Sequence, residues 1–282
     1  MNTYLKNIVE YYHATEKAYH LHWDVKNSLS VHYGYWDDKV SSFSESLLRM
    51  NEVMAEAVGI TSSDRVLDAG CGVGGSSIYL AKTRGCRAVG ITLSDRQVAQ
   101  AETFAKDRGV SEQTEFKIMD YCHTDFPDAS FDVVWGCESI CYAESKEQFI
   151  REAYRLLKPG GRLVIADGMT AKFEYNEHPI NRRWLEGWAA NFIETPERMQ
   201  GYMQHMGFTD IRFRDITPHV MHSSRRMLYF YFPTRCYHLY QYLIRKSVPE
   251  VNRKNIDALL YQYIAFKKKL WLYGMLSGVK HQ

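Results

Sequence analysis

The chain has 282 residues, 45% of them hydrophobic, and a formal net charge of +2. This length suits one large domain or a core domain with added segments, and a charge near zero gives no reason to expect a nucleic acid partner. No run of about 18 apolar residues is present, so we expect no transmembrane segment. The chain begins without an apolar signal region, and its six cysteines form no C-x-x-C pair. Both features predict a cytoplasmic protein with reduced thiols.

Residues 1–42 precede the first strand-like pattern and are expected to form an N-terminal helical cap. Leu5, Val9 and Tyr12 recur at helical spacing. A glycine in the aromatic stretch His32-Tyr-Gly-Tyr-Trp36 then interrupts this pattern. Two interpretations stay open. The segment either packs on the edge of a sheet or forms a flap over an active site.

A short apolar run ending in Val66 and Leu67 leads into a turn that is rich in glycine. Asp68 is the first polar residue after the run, Gly70 begins the turn, and helical periodicity resumes at Ser76. A strand, a glycine turn and a helix start form half of a nucleotide-binding βα unit. Glycines let a ligand approach the main chain, and the helix amino terminus offers free N–H groups. The acid stands ahead of the first glycine, unlike the pattern of a dinucleotide site.

The run from Asp68 to Gly74 resembles motif I of the class I methyltransferases, which bind S-adenosylmethionine (SAM) and release S-adenosylhomocysteine. The resemblance implies that Gly70, Gly72 and Gly74 pack against the methionine part of SAM. It also implies that Asp68 orients the ammonium group. Strands that alternate with helices predict an α/β fold with a doubly wound, Rossmann-like sheet, and residues 43–169 are expected to form this SAM-binding core.

Two further strand ends carry candidate cofactor contacts. The second strand runs into Gly90-Ile-Thr-Leu-Ser-Asp-Arg-Gln97, which has no acid directly after the strand. This run resembles the tocopherol methyltransferase and cyclopropane synthase branch, which implies contacts near the ribose from Thr92 and Gln97. A hydroxyl and an amide are suited to this task. Leu93 is also assigned to cofactor binding, and Asp95 is the spare candidate, although it also suits the first turn of the next helix.

The third predicted strand, residues 115–119, is followed by Asp120 and Tyr121. In the family that the motif resembles, an acid here accepts a hydrogen bond from the adenine amino group, and the backbone of the next residue reaches the ring. The fourth strand ends in Gly136-Cys-Glu138, and Cys137 is assigned to the cofactor side. The helix that follows stops at Lys158-Pro-Gly-Gly161, a signature typical of class I methyltransferases.

Residues 170–282 are expected to hold lid helices and the last two core strands. A helix is predicted over 196–206, a strand over 207–215 and the last strand over 270–279. The intervening stretch 220–268 is rich in tyrosine, and such an insertion before the last strand is where the resembled family often builds a substrate lid. Ordinary amphipathic helices that cover the sheet remain the alternative.

The predicted chemistry depends on Glu138 and on the aromatic content of 14%. Glu138-Ser-Ile-Cys-Tyr142 resembles a segment of the sterol and prenyl diphosphate C-methyltransferases in which the glutamate acts as a base. Ring faces attract cations, so Tyr35 and Trp36 are expected to stabilise positive charge. This interpretation favours C-methylation of an alkene in a terpenoid, prenyl or sterol-like substrate through a carbocation.

Other functions stay open. N- or O-methylation of another small metabolite or natural product and non-catalytic binding of SAM fit the same motifs. The cysteines and histidines form no recognised metal-ligand set, so no metal site is predicted, and Mg²⁺ is expected only if the substrate is a diphosphate. We expect a small hydrophobic substrate, and a homo-oligomer is neither predicted nor excluded.

Overall fold

The computed structural model describes residues 2–23 and 25–281. Its strands form one sheet in the order β3-β2-β1-β4-β5-β7-β6, in which β7 is antiparallel to both of its neighbours and the other pairs are parallel. The strands are β1 Arg65–Ala69, β2 Arg87–Thr92, β3 Thr114–Ile118, β4 Phe131–Cys137, β5 Leu157–Thr170, β6 Phe208–Asp215 and β7 Trp271–Lys280.

Helices pack around this sheet and extend beyond it. The helices are α1 Thr3–His22, α2 Val25–Ser28, α3 Phe43–Ala57, α4 Gly75–Arg84, α5 Asp95–Asp107, α6 Lys146–Leu156, α7 Pro179–Gly187, α8 Pro196–Met206, α9 Thr217–Leu243 and α10 Glu250–Lys267, with short 3-10 helices at Ile140–Tyr142 and Phe173–Glu177. Within the described ranges, no helix is both long and apolar enough to cross a bilayer. The predicted Rossmann-like sheet, with a helix at the amino end and helices before the last strand, is confirmed.

The central strands are buried on both faces, and their residues alternate between two hydrophobic clusters. Val66 and Val133 point into a cluster that includes residues of α3 and α4, whereas Leu67 and Val134 point into one that includes residues of α6 and α8. This alternation follows from the two-residue period of a strand. The sheet is therefore the middle layer between two helical layers.

The order of the sheet reverses between β1 and β4, which pair directly. In open α/β sheets ligands bind outside the carboxyl ends of the strands at such a switch point. Asp68 near the end of β1 pairs with Trp135 of β4, three residues before Glu138. The topology thus brings the glycine turn and Glu138 to the same edge.

The helix α1 lies over this edge. His13 Nε2 lies 3.1 Å from Ser94 Oγ at the start of α5, and Gln100 of α5 donates a 2.5 Å hydrogen bond to Glu16. Asn255 of α10 donates a 2.6 Å bond to the Tyr11 hydroxyl. The amino-terminal segment is therefore held from both sides as a cover of the strand ends.

Candidate active site

A first cavity opens beneath α1 at the carboxyl edge of the sheet. From α1, Ile8, Tyr12 and Tyr19 contribute to its wall. Nine of the ten cofactor contacts expected from the sequence line it. These are Asp68, Gly70, Gly72, Thr92, Leu93, Gln97, Asp120, Tyr121 and Cys137.

The glycine turn shapes the floor of this cavity. Gly70, Gly72 and Gly74 all have positive φ angles, of 84°, 54° and 83°, a region that side chains disfavour. A Cβ on Gly72 would have no heavy atom within 4 Å, so this glycine leaves room for a ligand. Gly74 is the one predicted cofactor contact that does not line the cavity. A Cβ there would lie 2.8 Å from the Phe116 ring, so Gly74 allows α4 to pack closely.

Asp68 is buried and is held by Ser77, whose hydroxyl donates a 2.7 Å bond to Oδ2. Burial is the largest influence and raises the pKa of Asp68 to about 6, although the bonds from Ser77 oppose this shift. A cationic group beside Asp68 would restore the charged form. The first cavity therefore offers a carboxylate where the resemblance places the ammonium group of SAM.

Other predicted cofactor contacts are oriented by hydrogen bonds to neighbouring protein groups. The Thr92 hydroxyl donates a 2.6 Å bond to the amide oxygen of Gln97. Asp120 accepts a 2.9 Å bond from the Cys122 amide, and the Tyr121 hydroxyl donates a 2.7 Å bond to the Ser139 carbonyl. Each pair fixes the orientation of polar groups before a ligand arrives, which lowers the entropic cost of binding.

The donor set of the first cavity fits SAM. Carboxylates of Asp68 and Asp120 suit an ammonium and an amino group, and Thr92 and Gln97 suit hydroxyls. Within the described part of the chain, Arg96 is the only lysine or arginine of the wall. The wall is therefore arranged for a positively charged ligand and not for a phosphate-rich one.

A second cavity lies next to the first and is mainly aromatic. It is built by residues of α1, of the 31–33 stretch, of the α7 region and of β7. Its aromatic residues are Tyr12, Tyr19, Trp23, Tyr33, Tyr142, Trp184, Trp188, Trp271 and Tyr273. Tyr12, Tyr19, Val31, Glu138 and Tyr142 line both cavities, so the two spaces meet around these side chains.

Glu138 follows β4 directly and has a φ angle of 48°. A left-handed backbone is uncommon outside glycine and, when the surrounding structure maintains it, often marks a functional position. Its Oε1 accepts a 2.5 Å bond from the Tyr33 amide and a 2.6 Å bond from the Tyr273 hydroxyl. No hydrogen bond from a described residue reaches Oε2, and the side chain remains partly exposed where it lines the cavities.

Burial raises the pKa of Glu138 to about 8, against the two hydrogen bonds that lower it. A helix-capping role, which would make this glutamate merely structural, does not fit the structure. Ser145 caps α6, since its hydroxyl accepts a 3.2 Å bond from the Gln148 amide. The geometry and the raised pKa are those of a carboxyl group suited to proton transfer.

Tyr35 and Trp36 lie apart from the other predicted site residues. Neither lines the two cavities: Tyr35 stacks on His219 at 4.1 Å, and the Trp36 indole donates a 3.1 Å bond to Ser223. Tyr33, which precedes Gly34, is the residue of this aromatic stretch whose side chain lines the second cavity. The sequence contains the aromatic stretch but does not show which of its side chains face the cavity, because α9 and the cavity wall both offer apolar surroundings to an aromatic ring.

Sequence reasoning also missed Tyr273, Asp167 and the tryptophan wall of the second cavity. Trp184 and Trp188, four residues apart on one helix face, gave a usable signal. Tyr273 gave none, since only the antiparallel register of β7, which places it opposite Gly168, brings its hydroxyl to Glu138. The expected lid tyrosines of 220–268 are absent from the wall, where Met227 is the only residue from that stretch.

No group of three or more His, Cys, Asp or Glu side chains in residues 2–23 and 25–281 is arranged to hold a metal ion. The acids of the second cavity, Glu138 and Asp167, instead bind protein groups. Asp167 accepts bonds from the amides of Cys141 and Gly168, at 2.9 and 2.7 Å.

The comparisons with known proteins agree in finding methyltransferases. The family described as "Methyltransferase domain" matches residues 67–165. The sterol 24-C-methyltransferase of Eremothecium gossypii is 34% identical over 64% of this chain and 47% of its own length. The tocopherol O-methyltransferase of Arabidopsis thaliana is 30% identical over 67% of this chain and 55% of its own length. The chain thus spans about half the length of these curated relatives.

Solved structures with the same fold cover nearly the whole chain. The cyclase SpnF superimposes with a TM-score of 0.79 at 23% identity, covering 97% of this chain and 95% of its own. A geranyl diphosphate methyltransferase in complex with GPP and sinefungin gives a TM-score of 0.78 at 18% identity, covering 99% and 100%. At such identities the likeness shows the fold alone. The matched domain and the named relatives identify residues 67–165 as a SAM-dependent methyltransferase domain, and the chain is similar to sterol and tocopherol methyltransferases.

Proposed function

We propose that the protein transfers the methyl group of SAM to a small hydrophobic molecule and that the acceptor is a carbon of an alkene. SAM, bound in the first cavity, supplies an activated methyl group. The acceptor occupies the second cavity. The sterol and geranyl diphosphate methyltransferases among the similar proteins support this assignment.

The observation that carries the proposal is the position of Glu138, which lines both cavities. A base for this reaction must reach the acceptor close to the place where the methyl group arrives. Two donors hold Oε1, which leaves the lone pairs of Oε2 available to take a proton from the acceptor. Tyr33 and Tyr273 are positioning residues in this scheme, since they fix the carboxyl group.

The proposed reaction transfers the methyl carbon of SAM to the alkene and releases S-adenosylhomocysteine and a proton. The π electrons of the acceptor form a C–C bond to the methyl carbon while its C–S bond breaks, and positive charge develops on the neighbouring acceptor carbon. Glu138 Oε2 then takes a proton from an adjacent carbon, and the electrons of that C–H bond restore a double bond. Aromatic faces of the second cavity stabilise the charge between these events.

The wall of the second cavity also limits the acceptor. Among its described residues there is no lysine, arginine or histidine, whereas Glu138 and Asp167 are present. A diphosphate would meet like charge and no compensating cation in this cavity. We therefore propose an acceptor without a diphosphate, such as a sterol-like or terpenoid alkene, and no Mg²⁺ requirement.

N-methylation of a hydrophobic amine is the second candidate. Two carboxyl groups surrounded by aromatic rings also suit a protonated amine, through charge and cation–π attraction. In that reaction the acceptor nitrogen must be neutral when it attacks, and Glu138 would receive its proton. The two candidates differ in the atom that carries the new methyl group.

Turnover of SAM with a panel of sterol, terpenoid and amine acceptors, followed by mass spectrometry of the products, tests the proposal. Glu138→Gln keeps the shape and removes the base, so we expect turnover to fall by about two to four orders of magnitude. Binding of S-adenosylhomocysteine should persist. Glu147→Gln, which changes a partly exposed carboxylate of α6 that lines neither cavity, is the matched control. Near-normal turnover by Glu138→Gln would contradict the base role, and methylation of amines alone would select the second candidate.

A further inference from the structure

The carboxyl-terminal part of α9 exposes an unusual number of large apolar side chains. We define the α9 tip as residues 237–246. Of the eleven exposed large hydrophobic side chains among the described residues, six lie in this tip. They are Tyr237, Leu239, Tyr240, Tyr242, Leu243 and Ile244, with exposed fractions from 42% to 77%. Single exposed apolar residues are ordinary, but a contiguous set marks an interaction surface.

The tip projects from a well-anchored helix. The first part of α9 packs into the core, where Val220, Ser223 and Met227 are buried. Beyond Pro233, which lacks a backbone N–H for the helix, the remaining residues of α9 are exposed or only partly buried. Neither cavity is lined by a residue of the tip. Its apolar surface therefore has no task in the site described above.

The chain segment that carries the tip has formal charges of one sign, although Asp257 of α10 acts on His238 of the tip. Residues 216–249 contain no aspartate or glutamate, whereas Arg225, Arg226, Arg235, Arg245 and Lys246 fall within them. Arg235, Arg245 and Lys246 are exposed and have no ion-pair partner among the residues that the structure describes. The surface thus combines apolar and tyrosine side chains with unpaired positive charge.

We propose that the α9 tip docks the protein onto an anionic lipid surface. Tyrosine rings are favoured at the boundary between hydrocarbon and headgroups, leucine and isoleucine enter the apolar layer, and basic residues contact anionic headgroups. A second copy of the chain is a poorer occupant. A symmetric contact between two tips would place Arg245 and Lys246 of both copies together, with no acid from the tips themselves to compensate. The proposal goes beyond methyl transfer and does not depend on the identity of the acceptor.

Co-sedimentation of the whole protein with phosphatidylcholine vesicles, with and without phosphatidylglycerol, tests this docking. We expect the partition coefficient to be at least about tenfold higher on the anionic vesicles and to fall with added salt. Arg245→Gln with Lys246→Gln should lower it by about fivefold for each charge removed. Leu239→Ser with Leu243→Ser should lower binding at least about tenfold. Ile118→Ser, at a similarly exposed position of β3, should leave it unchanged.

Light scattering without lipid measures the mass of the same variants, and thermal melting followed by circular dichroism verifies that they fold. Equal partition of wild type and the leucine variant would overturn the proposal. So would a wild-type dimer that the leucine variant converts to a monomer, without vesicle binding, because the occupant would then be a second copy. Neither readout involves methyl transfer, so a failure here is separate from a failure of the proposed reaction.

Discussion

At the scale of single residues, Glu138 combines a left-handed backbone with a pKa of about 8. A base must be deprotonated to act, so we expect kcat/KM to rise with pH through about 8 and to level off above it. A positive ligand beside the carboxylate lowers its pKa, and the midpoint of kcat at saturating SAM should therefore lie below that of kcat/KM. Turnover measured from pH 6 to about 10 tests this expectation.

Glu138→Gln removes the titrating carboxyl group, so the pH profile of the residual turnover should show no inflection near pH 8. The same inflection in the variant would assign the titration to another group. Asp167 is the first alternative, because burial also raises its pKa and it lines the second cavity.

Gly72 gives a second prediction for a single residue. Gly72→Val would place a side chain in the open space of the first cavity, and we expect S-adenosylhomocysteine to bind at least about tenfold more weakly. Gly109→Val is the matched control, since Gly109 also has a positive φ and open space around its Cβ position but lies outside both cavities. Titration calorimetry on both variants separates ligand displacement from backbone strain. Equal weakening by both would contradict a role of Gly72 in making room.

The residues that could be predicted from the sequence are those next to a strand end. Asp68 and Glu138 follow buried runs whose position along the chain fixes their place at the sheet edge. Tyr33 and Tyr273 could not be chosen, because they reach Glu138 through a loop and through the register of an antiparallel strand. The motif alone does not separate a glycine that faces a ligand from one, such as Gly74, that allows close helix packing.

At the scale of elements, α1 decides whether the first cavity is covered. The Tyr11 hydroxyl joins α1 to α10 through Asn255 and lines neither cavity. Tyr11→Phe keeps the ring and removes this hydrogen bond together with the 2.6 Å bond between the Tyr11 and Tyr19 hydroxyls. A typical net hydrogen bond contributes about 0.5–1.5 kcal/mol, so we expect S-adenosylhomocysteine to bind about two- to tenfold more weakly. Titration calorimetry measures this change.

Limited proteolysis supplies an independent measurement on the same element. Cleavage within α1 should be faster in Tyr11→Phe than in wild type, and saturating S-adenosylhomocysteine should slow it. Tyr229→Phe, an exposed tyrosine of α9, should behave as wild type in both assays. Unchanged affinity in Tyr11→Phe would show that α10 does not hold the cover in place.

At the scale of the whole molecule, stability should depend on a buried neutral histidine. His32 donates a 2.8 Å bond from Nδ1 to the Tyr33 carbonyl, and burial lowers its pKa to about 4. The folded state therefore binds this proton less readily than the unfolded state, whose pKa is about 6.5. Stability from His32 is present at neutral pH and is lost as the pH falls from about 6.5 to 4.

The stability that His32 loses between neutral pH and pH 5 amounts to about 2 kcal/mol. His32→Asn keeps a donor near the Tyr33 carbonyl and removes the titration, so its free energy of unfolding should fall less between pH 7 and pH 5. Urea unfolding of both proteins at the two pH values measures this. The same loss in both would place the acid sensitivity elsewhere.

The sheet could be predicted as a whole because its strands are short apolar runs with helices between them. The predicted limits of the last strand, 270–279, are within one residue of Trp271–Lys280. The predicted helix over 196–206 and strand over 207–215 agree with α8 and β6. The arrangement of 216–268 could not be predicted, because tyrosine-rich helices pack, line cavities or face solvent with the same pattern. The tryptophans of the α7 region form the cavity wall, whereas the tyrosines of α9 are largely exposed.

The contact between α1 and α10 has a consequence for the order in which the protein is made. Tyr11 leaves the ribosome early, but Asn255, to which it bonds, is translated 244 residues later. A nascent chain therefore carries an amphipathic helix with unsatisfied partners for most of its synthesis, while the sheet core can already form. Such long-range contacts form late and leave apolar surface exposed in intermediates. The cover of the site is thus synthesised well before the helix that holds it and is among the last parts that can be completed.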